Sequence, residues 1–418
     1  MEVPSKPATV AARSFLRNVL VMMTGTVMAQ ALPMLVAPVL TRIYDPTEYG
    51  VYATFLLVSY TISALASARY EFAIMLPEDE GDAFNIASFC VATAGIVAAV
   101  VLAVVLALRV LGIDVVRLGP YLPALPVVVF LMSAYQTLTY WMLRQQRFRA
   151  LSITNMGRAA LTAGANVCFG VLALRGSLIV STLLGQLIAV LLLGVQTRKD
   201  VAVNRGALRM ATMLRLAKKY RQFPLFSLPA DVMSYGSLQL PVAFFDTGSA
   251  GLFTFVQTVI NAPLSLAAGS VLDAFKERAT RDYRERGEFR EVLVKVTIGL
   301  AALALAPMLV LALWGPPIFA LVFGERWRAG GQFARILTIM YLFKFVASPI
   351  SYSYFVVEKQ KEDFWLHVYI LVSTSIVLAL GMRVLHDVPI TLLAFSINYA
   401  LFYCFYIVRS YQFSQGRR

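Results

Sequence analysis

The chain has 418 residues, of which 59% are hydrophobic and 14% charged, with a mean hydropathy of +0.71. A soluble domain carries roughly 45–50% apolar and about 25% charged residues, so a soluble fold is excluded and the sequence reads as an all-α polytopic membrane protein. The formal net charge of +14 is accounted for by membrane topology below, and no nucleic-acid partner is inferred from it.

In chain order, Arg13 and Arg17 precede an apolar run over residues 18–40. This run is longer than the about 7–15 residues of a signal-peptide core and no small-residue cleavage pattern follows it, so it is expected to remain as the first helix. A helix needs about 20 apolar residues to cross about 30 Å of hydrocarbon. Segments of that order cover 18–40, 51–75, 84–111, 121–143, 151–174, 177–197, 222–245, 250–272, 291–314, 331–357, 364–385 and 388–409, which makes about twelve transmembrane helices. Of the 37 Lys and Arg residues, 25 fall in or beside one alternate set of connections and tails and 7 in or beside the other. Positive charge is retained on the cytoplasmic side, so both termini are expected to be cytoplasmic.

The connection between the first two helices reads "LTRIYDPTEYGVY" over 40–52, and a paler version, "VAFFDTGSAGLF", returns at 242–253. Asp45 matches Asp246 and Gly50 matches Gly251, both at an offset of 201 residues. The same offset lays the seventh helix over the first and the eighth over the second. Six helices per half is an even number, so the halves enter the membrane with the same orientation and form a parallel repeat of two six-helix bundles. The expected division is 1–197, a basic linker over 198–221, and 222–418. An Asp before a small residue can cap the following helix, and Gly permits a close approach at its start. Arg42 has Ala243 opposite it and Glu48 has Ser249, so neither is a repeated scaffold element.

The linker, "RKDVAVNRGALRMATMLRLAKKYRQ", carries its basic residues among Leu and Met and reads as a surface amphipathic helix attracted to anionic lipid. The later loop "DAFKERATRDYRERGEFRE" alternates in sign and suits an exposed helix extension. Prolines 33 and 38 in the first helix and 224, 229 and 241 in the seventh interrupt matching elements, either as static kinks or as bends for alternating access. Cys90, Cys168 and Cys404 lie in apolar segments without paired spacing, and His367 and His386 are far apart, so neither a disulfide nor a metal site is expected and no cofactor is implied.

Ionisable groups at bilayer depth are costly and tend to face a protein interior or a wet cavity. Arg69, Glu71, Arg158, Asp231, Lys295, Arg335 and Lys344 lie within or at the ends of the spans. Their excess of cations suits an anionic ligand, for which Arg offers two parallel hydrogen bonds and Lys a point charge. Lys344 falls near the middle of its span and is the strongest cavity candidate. Arg158 and Asp231 lie at similar depth in their helices and could pair. Arg69 and Glu71 come at the far end of the second helix and are expected to reach the headgroups, while Lys295 and Arg335 are placed to snorkel. Gln30, Asn155, Asn166, Gln186, Gln239, Gln257, Asn261 and Asn398 could contact sugar hydroxyls or join helices to one another, and Tyr140 and Trp141 suit an aromatic belt.

The basic tail, Thr24–Gly25 in the first helix, "LTRIYDPTEYGVY", "ARYEFAIMLPEDE" at the end of the second helix and "QQRFRALS" before the fifth together resemble the polysaccharide transporter family of lipid-linked oligosaccharide flippases, the Wzx-type O-antigen translocases. The resemblance implies two six-helix bundles around a central cavity and movement of an undecaprenyl-diphosphate-linked oligosaccharide between leaflets of the bacterial inner membrane. It also implies membrane lipids, a coupling ion, a polysaccharide polymerase and a chain-length regulator as partners. Lys344, Arg158, Asp231, Arg69, Glu71 and Arg42 are then the candidate substrate-binding residues. A small-molecule exporter of the same superfamily is the alternative transporter reading. A membrane polymerase or glycosyltransferase would need a large outward loop bearing acids or His, and the longest here is "GPPIFALVFGERWRAG".

Overall fold

A computed structural model describes residues 27–112 and 118–416, and among them there is no β-strand. The expected start of the first helix at residue 18 and the Thr24–Gly25 step lie outside these residues. The long helices are α1 (Val27–Ile43), α2 (Pro46–Ser67), α3 (Glu80–Val110), α4 (Leu125–Arg144), α5 (Phe148–Val171) and α6 (Ser177–Asn204). A short α7 (Met210–Lys219) follows, then α8 (Leu228–Phe244), α9 (Thr247–Arg286), α10 (Arg290–Phe323) and α11 (Arg328–Ile350). A single turn α12 (Ser353–Val356) leads to α13 (Gln360–Leu380) and α14 (Val388–Ser414). Each predicted span overlaps one long helix. Among the described residues, eight stretches are long and apolar enough to cross a membrane, namely α2, α3, α4, α6, α10, α11, α13 and α14 with their flanking turns. Of the other long helices, α1 and α8 each have 17 described residues, and α5 carries Asn155, Arg158 and Asn166 among its apolar residues.

Contacts divide the described residues into two compact units, one holding those up to Val36 together with those between Phe55 and Pro229, the other those between Ala37 and Thr54 with those from Ala230 onward. In the first unit the basic linker is tied down. The Asn85 carboxamide donates to the Ala207 carbonyl at 2.9 Å and accepts from the Arg209 amide at 3.0 Å, so one side chain of α3 satisfies the backbone leading into α7. Leu216 is buried against Ile74, Phe84 and Trp141, the Tyr70 hydroxyl donates to the Ala217 carbonyl at 3.0 Å, and Arg215 pairs with Asp82 at 3.1 Å. A helix is present where the sequence places an amphipathic one, and its one buried residue, Leu216, packs on protein.

The second unit contains the turn between α1 and α2 as well as that between α8 and α9. Helix N-termini leave amide donors without intrahelical partners, and the two repeats solve this differently. Asp45 accepts from the Glu48 amide at 2.9 Å while the Glu48 carboxylate accepts from the Asp45 amide at 3.1 Å, a reciprocal capping box. Asp246 accepts from the Ser249 amide at 3.0 Å. Glu48, unmatched in the repeat, is therefore one half of a helix cap. Glu48→Ala should lower stability by about 1 kcal/mol, read as an earlier melt of the detergent-purified protein. Partial burial pushes the Asp246 carboxyl upward, but the Ser249 hydroxyl and the amides of Ser249 and Gly248 outweigh it and hold it below the usual range. That cap is thus present above the ordinary carboxylate range and is lost as pH falls through the lowered value.

The paired glycines sit where α2 and α9 cross. A Cβ on Gly50 would lie 1.7 Å from the Thr247 carbonyl oxygen, and one on Gly251 would lie 1.8 Å from the Pro46 carbonyl oxygen. Pro46 and Thr247 are themselves 201 residues apart, so each helix packs the glycine of its second turn on the first residue of the other. Beside this crossing, the buried Trp327 indole donates to the Thr41 carbonyl at 3.0 Å. Its ring meets Tyr49 at 5.1 Å and Phe255 at 4.4 Å between centroids. Such aromatic pairs contribute about 0.5–1.5 kcal/mol each beyond their burial.

Candidate functional site

In the second unit α11 carries Lys344 toward a cavity of about 270 Å³ whose wall also includes Ser234, Asp363, His367, Tyr399 and Tyr406. The Lys344 ammonium donates to Asn261 Oδ1 at 3.1 Å and lies 5.1 Å from the centre of the Tyr341 ring. Asn261 in turn donates through Nδ2 to the Tyr341 hydroxyl at 3.0 Å. A buried cation is ordinarily matched by a carboxylate or neutralised. Here the partners of Lys344 are a neutral amide and an aromatic face, so its charge is held in place without being cancelled by them.

The polar side of the same cavity comes from α13 and α14. Tyr406 donates its hydroxyl to Asp363 Oδ1, and Tyr399 donates to the Ser237 hydroxyl at 2.9 Å. His367 lies one turn beyond Asp363, with Nδ1 2.8 Å from the Asp363 carbonyl oxygen and 3.7 Å from its carboxylate. Asp363 and His367 are not site candidates by sequence reasoning. Their i, i+4 spacing at the start of an apolar helix is the signal that could have found them.

The other candidates occupy different surroundings. Asp231 lies in the first turn of α8, in the second unit, and is not among the residues lining this cavity. Arg158 belongs to the first unit, where its guanidinium stacks over the Tyr135 ring at 4.7 Å. Its Nε is buried without a hydrogen-bond partner among the described residues, and the Tyr135 hydroxyl is turned to Asn155.

Arg69 and Glu71 correct the sequence reading. α2 ends at Ser67, and Ala68 and Arg69 both take left-handed backbone conformations, with φ of 48° and 62°. The chain turns sharply into a 3-10 helix over Tyr70–Met75. Glu71 does not reach a headgroup region: its side chain is 1% exposed, and it pairs with Arg69 at 3.3 Å. Its other oxygen, Oε2, has no hydrogen-bond partner among the described residues. Arg42 is exposed and donates to the Pro38 carbonyl one turn back at 3.1 Å, and Lys295 pairs with Glu291 at 2.6 Å on an exposed helix face. Several of the polar residues join helices or satisfy backbone. Gln239 bonds Gln257 at 3.1 Å, Asn398 donates to Ser373 and Thr374, and the Trp141 indole donates to Asp200 at 3.0 Å. Among the described residues no group of His, Cys, Asp and Glu is placed to hold a metal ion.

The architecture is shared with solved transporters. The chain is similar to the lipid II flippase MurJ in its inward closed conformation, with a TM-score of 0.67 and 14% identity over 94% of this chain and 87% of that one. It is also similar to a point mutant of MATE, with a TM-score of 0.58 and 11% identity over 95% of each chain. A third likeness is to a MOP superfamily transporter from Pyrococcus furiosus, with a TM-score of 0.56 and 12% identity over 96% of this chain and 94% of that one. A search of curated protein sequences found no match. The fold is the one seen in MurJ and MATE. Residues 39–330 match the model of a family described as polysaccharide biosynthesis protein, and the chain belongs to that family.

Proposed function

We propose that the protein is a flippase that carries an undecaprenyl-diphosphate-linked oligosaccharide from the cytoplasmic to the periplasmic leaflet of the bacterial inner membrane by alternating access. The product would feed a surface polysaccharide such as O-antigen, capsule or exopolysaccharide. The observation that carries the reading is Lys344, a cation facing a cavity with neutral partners, in a chain of a polysaccharide-biosynthesis family. In this reading Lys344 attracts the diphosphate, and Arg158 is the corresponding cation of the first unit. The polar walls supplied by Tyr399, Tyr406 and Ser234 suit the first sugar. Both termini face the cytoplasm, as the distribution of basic residues supports, and residues 1–197 and 222–418 act as the two bundles. The chain carries out transport and not bond chemistry, and a polymerase and chain-length regulator act on its product outside.

The test is a deletion strain. Surface polysaccharide should disappear and lipid-linked oligosaccharide should accumulate on the cytoplasmic leaflet, with restoration by the plasmid-borne gene. Normal surface polysaccharide in a deletion strain that has no paralogue, together with new sensitivity to small toxic compounds, would favour an exporter and reject the flippase.

A further inference from the structure

The cavity around Lys344 holds a titratable group whose chemistry is fixed by one hydrogen bond. A carbonyl oxygen can only accept, so the contact between His367 Nδ1 and the Asp363 carbonyl at 2.8 Å places the ring proton on Nδ1. The nitrogen left to gain or lose a proton is Nε2. Histidine is the side chain that changes charge between about pH 5 and 8, and this ring lines the cavity.

The charged groups facing it can be taken element by element. α13 contributes Asp363 itself and α11 contributes Lys344, while α14 contributes the hydroxyls of Tyr399, Tyr403 and Tyr406 and α8 the hydroxyls of Ser234 and Ser237. With the ring neutral, the charged groups of the wall are the Lys344 ammonium and the Asp363 carboxylate. With the ring protonated, the wall carries one more positive charge. An anion entering the cavity is therefore attracted more strongly when His367 is charged.

We propose that the cavity binds a diphosphate diester together with a proton on His367. This rests on the flippase reading and adds to it a specific linkage: by thermodynamic reciprocity, the proton tightens the anion and the anion tightens the proton by the same factor. Lys344 supplies one positive charge and His367 a further, conditional one, and Asp363 orients the ring through its backbone carbonyl.

The experiment uses the full-length protein in detergent and a farnesyl diphospho-sugar, whose diphosphate diester keeps its charge across the range tested. Binding should be about fivefold tighter at pH 5.5 than at pH 7.5, at the lower end of the about 5- to 150-fold span of coupled sites. His367→Gln should bind with the weaker affinity at both pH values, and His367→Lys, which makes the charge permanent, should remove the pH dependence while keeping tight binding. Equal wild-type affinity at the two pH values overturns the proposal. So does a pH dependence that survives in His367→Gln, and Asp363→Asn then shows whether the aspartate is the titrating group. Absence of binding at both pH values overturns it as well, and leaves the flippase reading to the deletion strain. Binding that is pH-dependent in the wild type, flat in His367→Gln and unchanged in Lys344→Ala supports the linkage and rejects the role given to the lysine.

Discussion

Lys344→Ala is expected to lose most transport while membrane-inserted protein stays near the wild-type amount. The separation follows from the partners of the ammonium. Removing the cation leaves Asn261 and the Tyr341 hydroxyl bonded to each other and leaves no carboxylate stranded, so the penalty that attends a broken buried ion pair does not arise. What is lost is the attraction for the diphosphate, and hydrogen bonds to charged groups contribute about 1.5–3 kcal/mol, or about 10- to 150-fold in transport. Lys344→Arg keeps the charge and should retain much of the activity. Lys344→Glu should be worst, because repulsion replaces attraction where charge is poorly screened. Surface polysaccharide and membrane-inserted protein are measured for each variant. If abundance falls with activity and Asp231→Asn restores both, Lys344 is scaffold and the substrate role is wrong.

Gly50→Ala and Gly251→Ala should each cost about 3 kcal/mol or more, at the upper end of what overpacking costs. The atoms in the way are carbonyl oxygens at 1.7 and 1.8 Å. Neither is the end of a flexible side chain, so relief requires one helix to move off the other. That movement would loosen Trp327 from the Thr41 carbonyl and from Tyr49. The readout is the melting temperature and yield of the membrane protein, with Gly299→Ala, whose Cβ would meet nothing within 4 Å, as the matched control. Unchanged melting of Gly251→Ala would mean that the crossing is not held by backbone contact.

The helical architecture was legible because a bilayer demands long apolar segments, and the composition leaves no other reading. The 201-residue echo was legible because a backbone-to-backbone crossing tolerates only glycine, which makes Gly50 and Gly251 visible even where their neighbours have diverged. The depth of Lys344 was legible from its position in an apolar run, and its partner was not: Asn261 is a distant residue in sequence, and hydropathy ranks it with the other buried amides. The end of α2 was misplaced because apolar residues continue past Ser67 in "YEFAIM", and nothing in hydropathy marks the two left-handed residues at Ala68 and Arg69. Asp363 and His367 were passed over because a helix start is where charges ordinarily reach water, whereas here α14 covers them with Tyr406.

The length of α9 sets a scale for motion. Its 40 residues span about 60 Å at 1.5 Å per residue, about twice the hydrocarbon thickness. Pro263 lies within it, near the Asn261 that holds Lys344, and proline removes the backbone bond that would stiffen that turn. From Pro263 to Arg286 the helix is an arm of about 36 Å. A swivel of about 15° at the proline would sweep its charged tip through about 9 Å. An event at the lysine, too small to see directly, would thus be displayed at the far end of the helix like the needle of a gauge.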